Sequence, residues 1–536
     1  MRQQGIKTAA SALRPFRNPV YRAIWIATVV ANIGSWIYNA AAGWLMTSLD
    51  ASPLMVSLVQ VAASLPMFLF ALPAGALADI IDRRRFIVTL EILVTILSAI
   101  FATLVTLGWA TPALLLLFMF LLSSLSALEA PAWQAIVPEL VSHDDLPSAV
   151  AANSVGVNIS RAIGPALAGV IIVTWGIAAP FWIDAVSNFG VIGVFLWWRS
   201  EQRIRSAPAE RFASAIAAGF RYARYNAHLR ATLARSVGFF LFASAYWALL
   251  PLIAREQLAG GPELYGALLA SIGAGAVGAA FVLPVLKAWL GANGLVAASE
   301  VGTAASLVGF GLADEPLMAV AACVLAGMCW IGAVANLNIS AQVALPNWVR
   351  GRGLALYVTA FFGSMTLGSV AWGELANALD LRTSLLVAAA GALLAVGLTW
   401  RWKLQTGATL DLTPSMHWPE PVMVAAVDDD EGPVMVTLEY ELLPGHREAF
   451  LSDLEKQSGE RRRDGAYAWG VFEDTAREGR FLETFLVESW NEHLRQHRRV
   501  TNADRALEDA VRQHTRHPPI ITHLIAARPE KSAETH

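Results

Sequence analysis

Gly75-Ala76-Leu77-Ala78-Asp79-Ile80-Ile81-Asp82-Arg83-Arg84-Arg85 separates two apolar runs, 53–78 and 86–108. Each run is long enough to cross a hydrocarbon core about 30 Å thick as a helix, which takes about 20 residues. Three consecutive arginines are too costly to place in that core, so the stretch reads as two spans joined by a short basic turn. The same ruler carried outward gives six spans at 21–48, 53–78, 86–108, 112–134, 147–173 and 179–198. Six more follow at 232–254, 264–290, 293–313, 317–343, 354–377 and 383–402. The expected fold is an all-α polytopic membrane protein with twelve transmembrane helices in two six-helix halves, plus a small α+β domain at the end.

Composition agrees. Of 536 residues, 56% are hydrophobic and 15% charged, where a soluble domain carries about 25% charged residues. Two cysteines, Cys323 and Cys329, exclude a disulfide framework. No G-x-x-x-x-G-K-[ST] stretch occurs, so nothing points to a nucleotide-driven pump. Basic residues cluster at alternate loops: Arg2 to Arg22, Arg83 to Arg85, Arg199 to Arg235, Lys287, Arg350, Arg352, Arg401 and Lys403. The positive-inside rule then places both termini in the cytoplasm and the chain in a bacterial inner (plasma) membrane.

The boundaries implied are an N-terminal half 1–200, an inter-half loop 201–231, a C-terminal half 232–403, a linker 404–432 and a terminal domain 433–528. Within the loop, Phe212, Ile216, Phe220 and Ala223 recur at helical spacing with arginines nearby, which suggests an amphipathic helix on the cytoplasmic membrane surface, with a solvated basic linker as the alternative. A weak repeat links the halves. Gln134-x-x-x-Pro138 and Gly164-x-x-x-x-Gly169 return, six spans later, as Gln342-x-x-x-Pro346 and Gly368-x-x-x-x-Gly373.

Gly75, Asp79, Asp82, Arg83 and Arg84 resemble the loop signature of the major facilitator superfamily. In that family a glycine, an aspartate and a basic run form a latch at the cytoplasmic face. Ile80 and Asp82 depart from the usual pattern, and the second half has no equivalent, so any latch is one-sided. Gly164, Pro165 and Gly169 resemble the antiporter-associated helix motif of the same superfamily. With Trp348-Val-Arg350-Gly-Arg352-Gly353, the pattern over residues 15–403 is similar to the bacterial exporter branch that includes the enterobactin exporter. The resemblance implies a secondary transporter exporting a small amphipathic molecule by proton antiport and alternating access, with a small-molecule substrate, protons and the lipid bilayer as partners. No cofactor, metal or nucleic acid is expected.

Charges inside spans are candidates for coupling because they are costly there. These are Arg161 and Asp184, at matching depth and so a candidate pair, with Glu129, Glu300 and Glu374; Glu91 is placed near enough to the interface to snorkel. Asn32, Trp36, Asn39 and Gln60 are candidates to line a cavity.

Beyond residue 432 the pattern is strand at 433–443, helix at 445–463, strands at 466–473 and 480–488, a helical stretch at 490–514, and strand at 520–527. This βαββαβ order is ferredoxin-like. It resembles the dimeric α/β-barrel domains related to antibiotic-biosynthesis monooxygenases, which implies a homodimer through this domain. The rival reading is a membrane-anchored enzyme or ligand sensor with its activity in this tail. His493 and His497 share a helix face, expected to be solvated. Tyr467, Trp469 and Trp490 are expected either to line a small pocket or to fill the core.

Overall fold

Apolar runs of 19 residues and more become helices, and their ends are set by capping. The computed structural model describes residues 14–198, 212–406, 411–418 and 431–527. The first half comprises α1 (Pro19–Leu49), α2 (Pro53–Ile80), α3 (Arg83–Thr106), α4 (Pro112–Leu140), α5 (Leu146–Trp175) and α6 (Ala179–Trp197). Asn18 caps α1 by accepting from the Val20 and Tyr21 amides, Thr111 caps α4, and proline opens α1, α2 and α4, where its missing N–H costs nothing.

The second half follows α7 (Phe212–Tyr225) and comprises α8 (Ala227–Leu252), a 50-residue run Pro262–Gly311, α11 (Pro316–Val343), α12 (Arg350–Ala378) and α13 (Leu381–Thr399). The long run is broken at Gly291, whose φ of 65° suits glycine alone, into α9 (262–290) and α10 (292–311). Among the described residues eleven helices are long and apolar enough to span a membrane, and this break makes twelve spans. Large apolar side chains stand on the surface of the spans: Phe281 and Trp289 on α9 are 79% and 82% exposed, as a bilayer permits.

The described parts of the chain divide into two compact units. One holds the spans. The other holds α7, the segment Ile339–Leu356 between α11 and α12, and the tail. In the tail, β1 (Val434–Glu441), β2 (Tyr467–Glu473), β3 (Arg480–Val487) and β4 (Ile520–Ile525) form one antiparallel sheet in the order β2-β3-β1-β4. This is the ferredoxin-like arrangement expected from the βαββαβ pattern. Helices α14 (Arg447–Arg463), α15 (Trp490–Arg499) and α16 (Asn502–Arg512) accompany it. Val434, Val436, Leu438, Phe481, Phe485 and Val487 are buried in the core with Phe450, Leu454 and Trp490. Met435, Leu482, Phe472, Ile520 and Leu524 remain exposed. The stretch 490–514 is two helices, because Thr501 and Asp504 build a reciprocal capping box that starts α16 afresh.

Two expectations change. The inter-half helix forms, but it packs on the tail: Tyr222 is fully buried with the Arg463 guanidinium over its ring at 5.5 Å, and Arg221 pairs with Glu492 at 3.3 Å. An aromatic and an arginine matched to partners outcompete a lipid surface. Phe212 and Ile216 side chains lie outside the described residues. The reading of 404–432 as a plain linker also changes, because 411–418 lies along the tail. The Ser415 amide donates to the Val500 carbonyl, and His417 and Trp418 donate to Glu508.

Candidate functional site

Small residues let the two halves meet, and the repeat noticed in sequence becomes a matched set of contacts. A Cβ added at Gly164 would strike Trp36 of α1, and one at Gly169 would lie 2.7 Å from the Pro262 carbonyl and 3.2 Å from Gly266 Cα of α9. In the second half, Gly368 abuts Leu241 and Ser244 of α8, and Gly373 abuts Pro53 and Ser57 of α2. Thus the first glycine of each motif packs on the opening span of its own half. The second packs on the second span of the other half. Pro165 is buried at the same crossing. Further contacts between halves run from mid-span to the face opposite the Arg83 end. Ser64 and Thr366 hydroxyls meet at 2.8 Å, Trp44 stacks on Tyr265, and Arg255 donates to Thr47 and Ser48 at 3.0 and 2.6 Å.

The basic turn holds its own half together. Asp82 caps α3 by accepting from the Arg85 amide at 2.8 Å. Arg83 donates to the Ala135 carbonyl and pairs with Glu139 at 2.6 Å, and Arg84 donates to the Phe195 and Leu196 carbonyls at the end of α6. These bonds tie α3 to α4 and α6 and complement the negative end of α6. Gly75 and Asp79 lie in the helical α2, but their side-chain placement lies outside the described residues.

A cluster of acids sits inside the first half. Glu129 on α4 accepts from Trp133 Nε1 at 2.6 Å and neighbours the Glu91 carboxyl of α3. Both are buried, so Glu91 does not snorkel. Asp184 on α6 is buried and accepts from Ser98 at 2.6 Å and Ser35 at 3.3 Å. Two neighbouring carboxyl groups can share a hydrogen bond only when one of them carries a proton. Sequence reading missed this partner because nothing in a run of apolar residues tells which face of α3 meets α4.

Among the described residues no ion pair joins Arg161 to Asp184. Helix α1 divides them: Gly34 and Ser35 face Asp184, while Trp36 faces α5 and lies under the Arg161 guanidinium at 5.4 Å. In the second half the buried charges are Glu300 on α10 and Arg235 on α8, 3% and 2% exposed, and Arg235 is close enough for its charge to act on Glu300. Arg235 also donates to the Thr399 carbonyl and to Asn293. It belongs to the span, not to the basic loop into which charge counting had placed it. Glu374 is exposed on α12. Asn32, Trp36 and Gln60 are half-buried, and Asn39 is exposed with its amide donating to the Ser35 carbonyl.

The tail encloses a cavity of about 410 Å³ lined by Trp418, Tyr440, Arg461, Phe485, His493 and His523, among others. The expected aromatic trio does not line it. Trp490 fills the core, Trp469 donates to Glu483 at 2.9 Å, and Tyr467 is exposed. Nor is the His493 face solvated, since His493 is 1% exposed.

Two six-span halves meeting through matched glycines, with buried charges inside each half, define a two-domain membrane transporter. The chain belongs to the transmembrane secretion effector family of the major facilitator superfamily, whose description matches residues 10–530. Among curated relatives, the staphyloferrin A transporter of Staphylococcus aureus is 27% identical over 265 residues, 48% of this chain and 65% of that protein. This chain thus matches slightly under two thirds of that relative's length. The multidrug efflux pump Tap of Mycolicibacterium fortuitum is 25% identical, covering 68% of this chain and 90% of that one. Among solved structures, a bacterial homologue of the human lysosomal transporter Spinster, inward-facing and unoccupied, superposes with a TM-score of 0.58 at 15% identity, over 72% of this chain and 97% of that chain. That likeness concerns the fold.

Proposed function

We propose that this chain exports a small amphipathic molecule, of siderophore, drug or metabolite type, in exchange for protons by alternating access. On this reading it lies in a bacterial inner membrane with both termini and the Arg83 face in the cytoplasm. The observation that carries it is the buried Glu91–Glu129 carboxyl pair, a store for one proton inside the half whose helices α1 and α5 border the other half. Closure between halves at the Arg255 face supports a state that opens toward the Arg83 face, the side from which an exporter loads. The names of the relatives support the substrate class. Everted membrane vesicles, which turn the cytoplasmic face outward, test the reading with a panel of iron-free siderophores and lipophilic dyes. Accumulation of one of them that stops when the pH gradient is collapsed is the expected result. Uptake indifferent to the gradient contradicts it.

The same reading includes a homodimer through the tail. Met435 lies opposite Leu486 and Leu524, and Leu482 opposite Phe472, on the sheet face away from the helices. That face is apolar and exposed, and a second copy packed sheet to sheet would cover it. Sedimentation velocity of the full chain in detergent should show a dimer that Leu524→Lys converts to monomer. A monomeric wild type would contradict it.

A further inference from the structure

We propose that His493, His497 and His523 bind one divalent transition-metal ion of the zinc class, with a coordination position open to the tail cavity. His493 and His497 lie one turn apart on α15. His523 comes from β4, where it is paired with Val436 and so faces the helices. Their ligand nitrogens all lie within 4.8 Å of one another. Ring centroids are 4.8 Å apart for His493 and His497 and 4.7 Å for His493 and His523.

The spacing is that of an imidazole–imidazole hydrogen bond and also of two ligands on one ion. Zinc–nitrogen bonds of about 2.05 Å at tetrahedral angles place two ligand nitrogens about 3.3 Å apart. Here Nε2 of His493 and Nε2 of His497 are 3.2 Å apart. The outer support is also built. Nδ1 of His493 faces Oε1 of Gln496 at 3.3 Å, and the Gln496 amide is itself anchored on the Asp464 carbonyl. A proton held on Nδ1 by that oxygen leaves the Nε2 lone pair directed at its neighbour, the arrangement that metal-binding histidines use.

Arg461 is the cation nearby, and its charge is met by Glu508 at 3.3 Å and Glu483 at 3.7 Å. Three imidazoles with no thiolate suit zinc, copper or nickel over magnesium or calcium. Three protein ligands beside a cavity of about 410 Å³ leave room for a fourth, exchangeable donor.

The test uses the full-length chain purified with an affinity tag free of histidine, stripped with chelator and reloaded with Zn²⁺ or Co²⁺. One zinc per chain should remain after desalting, and Co²⁺ should give the intense visible bands of a four-coordinate site. His523→Ala and His497→Gln should each weaken zinc binding about tenfold or more, while His517→Ala, exposed and outside the cluster, leaves it unchanged. His497 is only half-buried, so its variant guards against loss of fold, as judged by an unchanged thermal transition without metal. A wild-type chain that holds no zinc overturns the proposal, as does zinc retained by a His497→Gln/His523→Ala double variant.

Discussion

The two halves share a packing scheme and differ in their charges. Gly164 and Gly169 make the same kinds of contact as Gly368 and Gly373, each pair on the corresponding spans. The first half then buries three carboxyl groups, Glu91, Glu129 and Asp184, whose hydrogen-bond partners among the described residues include Ser35, Ser98 and Trp133, whereas the second buries Glu300 near Arg235. The basic clasp of Arg83 and Arg84 ties together helices of the first half. Close helix crossing dictates small residues at equivalent places, whereas the proposed proton store needs only one copy.

The matched glycines give the strongest way to break this comparison. Gly169→Leu and Gly373→Leu should each reduce transport about tenfold or more, because neither neighbouring backbone has room to yield. Gly193→Leu, with no neighbour in reach of its Cβ, should leave transport unchanged in the same assay. Loss at one glycine only would mean that the two crossings are not equivalent.

The charges come next. Removing Arg235 leaves Glu300 without its compensating charge, so Arg235→Met should destabilise the purified protein by about 3 kcal/mol. Adding Glu300→Gln to that variant should recover part of the loss in a thermal melt. Simple additivity would separate the two residues. A smaller effect is expected at the clasp. Arg84→Ala removes two hydrogen bonds to the end of α6 and should cost about 1–2 kcal/mol.

A pH-dependent effect lies outside both halves and contrasts with them. Glu460 on α14 is pushed up to about 10 by burial and by the neighbouring Asp504. Its folded pKa exceeds its unfolded value, so the folded tail holds one more proton between about pH 4.5 and 10. Stability of the tail should therefore fall as pH rises through that window, by up to about 1.4 kcal/mol per pH unit. Glu460→Gln should flatten that slope when the tail transition is followed by tryptophan fluorescence at pH 6 and pH 9. An unchanged slope would remove Glu460 as its source.

The spans were legible because twenty apolar residues in a row admit few other readings, and the division at Gly291 fell between two runs already separated in sequence. The tail topology was legible because its alternation of period 2 and period 3.6 is interrupted by turns. Contacts between distant segments were not. Arg235 looked like a loop charge since only its burial against Asn293 and Thr399 places it in a span. Glu91 looked exposed because its distance from the basic turn says nothing of which side of α3 it occupies. His523 carried no signal at all: a lone histidine in a strand acquires meaning only when β4 pairs with β1 and turns it toward α15.

The central claim is that the first half stores the exchanged proton between Glu91 and Glu129. Everted vesicles carrying Glu129→Gln or Glu91→Gln test it most directly, by comparing substrate exchange at zero gradient with accumulation driven by a pH gradient. The account predicts that exchange persists while gradient-driven accumulation is lost, and that Glu300→Gln keeps both. Accumulation that survives in the Glu91→Gln/Glu129→Gln double variant would contradict it.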